Sequence, residues 1–135
     1  MSVLFEDAAP RYVRALMDVA IKQHATAAAN IANIDTPGYR TRELEFRSAF
    51  ESALARNAGG LARTELSHLE GGAPSSEAGL REVAGLPIRN DGNNVSIDRE
   101  MLQLATAAGR YQAAITLLRR EFAVLRYAIS DGREG

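Results

Sequence analysis

The segment SIDREMLQLATAAGRYQAAITLLRREFAVLRYAIS, Ser96 to Ser130, decides the fold. Met101, Leu104, Ala108, Tyr111, Ile115, Leu118, Phe122, Leu125 and Ile129 recur in it at alternating steps of three and four, the spacing of a coiled-coil seam. No proline and one glycine interrupt the run. Ser96 is placed to cap a helix, and Asp98 and Glu100 suit the positive end of its dipole. At about 1.5 Å per residue, a helix from Ile97 to Ile129 would be roughly 50 Å long, which predicts an elongated molecule. Leu102, Ala105, Leu117 and Val124 lie off the seam, so a second apolar stripe remains once one helical partner is satisfied. Burying one Leu, Ile or Phe is worth about 1.5 to 3 kcal/mol, and a two-helix hairpin covers only part of each. The expectation is a monomer whose core is completed by assembly.

Residues 10–34 carry the matching helix, rich in alanine and free of internal glycine and proline, with Pro10 in its first turn. Its best seam runs Val13, Leu16, Ala20, Gln23, Ala27, Asn30 and Ile34. Polar seam residues such as Gln23 and Asn30 fix register and partner choice at some cost in stability. The alternative is a helix that rotates its asparagines to solvent. Thr36-Pro37-Gly38 then stops the helix, since Pro-Gly suits the two central positions of a type II turn. Within residues 35–56, Leu44, Phe46, Phe50 and Leu54 space a short amphipathic helix from Leu44 to Ala55. Residues 57–94 hold seven glycines and two prolines and read as irregular loop, with short extended pieces near Leu86 to Arg89. A final helix fills 96–130. The whole reads as a single all-α domain of 135 residues, built on paired terminal helices.

Composition narrows the chemistry. Lys plus Arg number 16 against 17 Asp plus Glu, so the formal charge of −1 gives no electrostatic case for nucleic acid. Arg119, Arg120 and Arg126 read as helix-surface cations near a negative helix end. The absence of cysteine removes disulfides, thiolate ligands and thiol nucleophiles. His24 and His68 show no metal-binding spacing, and His24 reads as a helix-surface residue. Ser48, Ser52, Ser67, Ser75 and Ser76 have no nucleophile elbow around them. Gly59-Gly60 and Gly71-Gly72 lack the strand and lysine of a phosphate loop, and Asp91-Gly92-Asn93-Asn94 reads as a tight turn, not a calcium loop. Neither a catalytic residue, a cofactor, a metal nor a small-molecule substrate is expected. MSVLFEDAAPRYVRAL has neither a basic n-region nor a continuous apolar core, so it does not read as a cleavable secretory signal.

Ala29-Asn30-Ile31-Ala32-Asn33-Ile34-Asp35-Thr36-Pro37-Gly38-Tyr39 closely resembles the N-terminal signature of the bacterial flagellar axial proteins: the rod, hook and hook-associated families. A second block, Asp91-Gly92-Asn93-Asn94-Val95 through Asp98-Arg99-Glu100-Met101 to Tyr111-Gln112, is similar to the proximal rod protein B family of the flagellar basal body. The short length favours that family over the hook and distal rod proteins, with rod protein C the nearest competitor. The resemblance implies terminal helices paired antiparallel as a coiled coil and stacked helically, with no catalysis and no cofactor. It implies a periplasmic rod subunit exported uncleaved by the flagellar type III apparatus. Its partners would be further copies, other rod proteins and the proteins that join the rod to the membrane-embedded ring. Asn30, Asn33, Thr36, Pro37, Gly38 and Tyr39 would form the signature turn. Phe46 and Phe50 resemble the export-gate element of rod and hook substrates, although such i, i+4 pairs also serve ordinary helix packing. Residues 57–85 match no motif of the family. A helical export chaperone or adaptor, compact, cytoplasmic and dimeric, is the competing expectation.

Overall fold

The computed structural model describes residues 8–58 and 79–130. The Gly59-Gly60 and Gly71-Gly72 pairs, His68, Ser67, Ser75 and Ser76 lie outside those residues. Three helices and a two-stranded sheet make up the fold: α1 Ala8–Ala32, β1 Arg42–Leu44, α2 Phe46–Ala58, β2 Leu80–Glu82 and α3 Ile97–Ile129. The architecture is mostly helical, and the small sheet is an addition to the all-α reading.

α1 begins two residues before Pro10, which therefore sits in its first turn, where a missing N–H costs nothing. α1 and α3 lie side by side in opposite directions. Asn30 near the end of α1 meets Glu100 at the start of α3, Gln23 meets Arg110, and Tyr12 and Val13 share a cleft with Leu117 and Val124. The centre of this contact is built from Ala20 and Ala27 on one side and Ala107 and Ala114 on the other, all buried. Side chains this small let two helix backbones approach closely, and close approach pushes large side chains to the flanks.

That packing corrects the reading of the long C-terminal seam. The line of α3 turned towards α1 is Glu100, Gln103, Ala107, Arg110 and Ala114, each buried or half-buried. Met101, Ala108, Phe122, Leu125 and Ile129 are exposed, and Leu104, Tyr111, Ile115 and Leu118 are half-buried at the border. Within the chain, then, the seam falls one residue away from the apolar heptad. On α1, Val13, Ala20, Gln23, Ala27 and Asn30 are buried and Leu16 is half-buried, while Ile34, expected as the last seam residue, lies half-buried in the turn beyond the helix end at Ala32.

α2 covers a second face of α1. Its Ala49 and Ala53 join Ala15, Val19 and Leu44 in a buried cluster, closed by Phe46, Phe50, Leu54 and Leu80. Leu44 is a residue of β1 and not the start of a helix. β1 pairs antiparallel with β2, setting Arg42 opposite Glu82, Glu43 opposite Arg81 and Leu44 opposite Leu80. Opposite charges and two leucines thus face each other across the pair. Backbone bonds from Val83 N to Thr41 O (3.0 Å) and Glu45 N to Gly79 O (2.7 Å) extend the pairing. Gly79 has φ 84°, and a Cβ there would lie 3.0 Å from Glu45 O, so the close approach needs glycine. The strand is Leu80–Glu82, whereas the region near Leu86 to Arg89 forms no strand.

Gly109 is the lone glycine within α3, and a Cβ added there meets nothing within 4 Å. Gly109→Ala is expected to stabilise the isolated chain by about 0.5 to 1 kcal/mol, because alanine loses less backbone entropy in a helix. Thermal unfolding followed by circular dichroism should show a higher midpoint. An unchanged or lower one would mean that something already occupies that side of α3.

Candidate assembly surface and the clasp beside it

The signature turn and the Asp91 to Val95 segment, over fifty residues apart in sequence, fold against each other. Gly38 takes φ 73°, and Tyr39 N donates to Thr36 O at 3.2 Å, the pattern of a type II turn centred on Pro37-Gly38. Opposite it, Arg89 N donates to Asn93 O at 2.8 Å and Gly92 N to Arg89 O at 2.9 Å, with Gly92 at φ 82°. This is a three-residue hairpin loop with glycine in the left-handed position. The two turns touch through Gly38 N, which donates to Asp91 O at 2.8 Å. Gly92→Ala would place a Cβ 3.3 Å from Gly38 Cα in a left-handed conformation. A loss of about 1 to 2 kcal/mol is expected in a urea titration, and a loss under half of that would mean the two turns yield without cost.

Asparagine amides knit the junction. Asn93 Nδ2 donates to Asn33 O and to Thr36 O, both at 2.9 Å, while its Oδ1 accepts from Val95 N at 2.7 Å. Asn94 Oδ1 accepts from Thr41 N at 2.6 Å, and Thr41 Oγ1 donates to Asn94 O at 3.1 Å. The Asn93 backbone N–H, and then the Arg89 guanidinium, hold the Asp91 carboxyl below its ordinary value of 3.8. Arg89 also donates to Ile34 O, tying the hairpin to the end of α1.

Asn30 anchors the junction to the helix pair. It is fully buried and uses its whole hydrogen-bonding capacity: Nδ2 donates to Arg42 O at 2.7 Å and Glu100 Oε2 at 2.8 Å. Its Oδ1 accepts from Tyr39 Oη and Arg42 N, each at 3.1 Å. Glu100 is 1% exposed. Its sequence neighbours suggest only a dipole partner at a helix start, so its burial is what the sequence reading missed. The available signal was the repeated seven-residue step from Glu100 to Ala107 and from Ala107 to Ala114. Ser96 stands at the N-cap in an extended conformation, but its hydroxyl makes no capping bond.

Phe46 and Phe50 stack on each other at 5.5 Å, Phe50 stacks on Tyr12 at 6.4 Å, and the Arg110 guanidinium lies 4.8 Å over Phe46. Arg110 also donates to Gln23 Oε1 at 2.6 Å. This ladder joins α2 to both long helices, so both phenylalanines serve packing in the folded chain. His24 lies exposed on α1.

On α3, successive residues turn by roughly 100°, so large apolar side chains fall on either side of the contact line with α1. One flank carries Ile97, Met101 (54% exposed), Ile115 and Phe122 (62% exposed). The other carries Leu102, Leu117 and Val124, all more than half exposed. Ala105 is exposed on the far side. Alanine-lined pairing with α1 therefore leaves two uncovered apolar rows, more than a solvated helix needs.

The family of flagella basal body rod proteins matches residues 13–40, which hold the α1 seam and the signature turn. The flagellar basal body rod protein FlgB of Salmonella typhimurium is 38% identical over 119 residues, spanning 83% of this chain and 86% of the relative. FlgB of Escherichia coli is 30% identical over 134 residues, spanning 93% and 96%. FlgB of Bacillus subtilis is 28% identical over 104 residues, spanning 77% and 79%. With identity of this level along most of both chains, and with the matched segment supplying the α1 seam and the signature turn, the chain belongs to the family of flagellar basal body rod proteins.

Proposed function

We propose that the chain is a structural subunit of the proximal rod of the bacterial flagellar basal body and not an enzyme. Further copies and other rod proteins would cover the two apolar rows of α3. The observation that carries this reading is the exposure of Met101 and Phe122, with half-buried Ile115 between them, along a helix already paired with α1. An exposed apolar row of that kind marks a surface that a neighbour covers. Two different rows on one helix offer non-identical surfaces to successive neighbours, and contacts of that heterologous type build open helical arrays. The heptad of Met101 to Ile129 then serves as a coiled-coil seam between subunits, and the Asn30–Tyr39 and Asp91–Val95 turns shape the end of each shaft element. Within the rod, the chain would also meet the proteins that join it to the membrane ring.

Export by the flagellar type III apparatus belongs to the same reading. The Phe46–Phe50 pair would be read before the chain folds, since both rings are half-buried in the ladder with Tyr12 and Arg110 afterwards. Basal bodies purified after membrane extraction should contain the chain in fixed proportion to the other rod proteins. Recovery of all of it as a soluble cytoplasmic dimer would instead support an export chaperone or adaptor.

A further inference from the structure

Glu100 holds one oxygen that its bond to Asn30 does not use. Its Oε2 accepts from Asn30, but among the described residues no protein donor reaches its Oε1, although the side chain is 1% exposed. The nearest cation, Arg99 Nη1, stands 3.6 Å away, beyond a direct hydrogen bond, and Arg99 Nη2 is bonded instead to Glu43 Oε2 at 2.7 Å. Glu100 borders a small cleft between α1, β1 and α3, which Gln23, Thr26, Arg42, Arg99 and Gln103 also line. The cleft has a volume of about 10 Å³, which is about the room one water molecule needs. Its lining is rich in hydrogen-bonding groups. Gln23 Oε1 already accepts from Arg110 and leaves the amide N–H groups to donate, and Thr26 Oγ1 donates to Lys22 O and keeps lone pairs to accept.

We infer that this cleft is a binding site for a single structural water, which donates to Glu100 Oε1 and accepts from a side-chain nitrogen of Gln23, Arg99 or Gln103. A buried carboxylate oxygen without a donor is costly, and a polar cleft of one-water size beside it supplies one. Where Gln23 is the donor, that water adds a second link between α1 and α3 beside the Asn30–Glu100 bond. This gives α3 a reason to carry glutamate at one of its three buried positions, where the other two are Ala107 and Ala114.

A crystal structure of the full chain, at a resolution that shows ordered solvent, decides the matter. The expected result is a solvent peak within hydrogen-bond distance of Glu100 Oε1 and of one of those nitrogens, absent from Glu100→Met and retained in Glu100→Gln. An Oε1 bonded directly to a protein donor in the wild-type map would overturn the inference, and so would a wild-type cleft without the peak. A peak that persists in Glu100→Met would overturn it too. Should Glu100→Met not fold, Gln103→Leu narrows the same cleft, and the wild-type map alone remains sufficient to refute the site.

Discussion

Phe122→Asp is expected to abolish swimming while leaving the isolated chain as helical as the wild type. Phe122 is 62% exposed on α3 and lies outside the alanine contact with α1, so an aspartate there meets water in the monomer. The local penalty is then one of helix propensity, under about 0.7 kcal/mol. In an assembled rod the same carboxylate would be carried into an apolar subunit contact, where burying an unpaired ion costs on the order of several kcal/mol. Because the contact repeats with every subunit, the defect repeats as well. Leu118→Asp should also block assembly, but Leu118 is half-buried against the pair, so it should lower monomer stability too. The two variants therefore separate a surface role from a folding role. Normal motility of the Phe122 variant would remove this flank of α3 from any part in assembly.

Asn30→Ala should have the largest effect on the stability of the chain itself. It removes four hydrogen bonds at once and leaves the buried Glu100 Oε2 and the Arg42 backbone N–H and C=O without partners. Bonds to a charged group are worth about 1.5 to 3 kcal/mol, and orphaned partners add to the loss, so a cost of about 3 kcal/mol or more is expected in urea unfolding. That is a large share of the stability of a small domain. Adding Glu100→Ala should recover part of the loss, because a missing pair is less costly than a carboxylate left alone in the core. A single Asn30 variant within about 0.5 kcal/mol of wild type would show that the junction holds without this amide. A double variant that is worse by the plain sum would show that the two side chains act independently.

The long helices are legible because alanine-rich runs without internal glycine or proline have few other conformations to prefer. The type II turn is legible for a similar reason, since Thr36-Pro37-Gly38 allows little else. The face of α3 turned inward is harder to read. Hydrophobic periodicity weights Met101, Leu104, Ile115 and Phe122 most, and it assumes that the largest apolar groups seek the partner within the chain. Close helix approach reverses that rule here, so Ala107 and Ala114 sit inside with Glu100 and the large residues flank them. The stripe read from spacing is real, but what it faces depends on the size of the residues beside it. On α1 the conflict does not arise, because its seam is already small and polar.

β1 and β2 escape detection because each is three residues long, too short for a period-two pattern to register. Their pairing depends on a contact across more than thirty residues, with Gly79 permitting the close approach to Glu45. Glu100 escapes for another reason. Acidic residues early in a helix have an adequate local explanation in the dipole, and only Asn30, seventy positions away, reveals the buried role. The two turn motifs are each readable in sequence, whereas their contact through Gly38 and Asp91 is a property of the folded chain alone.

The chain contains no cysteine, so one introduced at Met101 is its single thiol, and labelling of this chain's band reports on the α3 row. Met101 is 54% exposed in the isolated chain, and the thiol should react readily with a maleimide there. In basal bodies purified from motile cells carrying Met101→Cys, the thiol should be strongly protected, with labelling recovered only after the rod is dissociated. Equal labelling of the isolated and assembled chain would contradict the claim that neighbouring subunits cover this row.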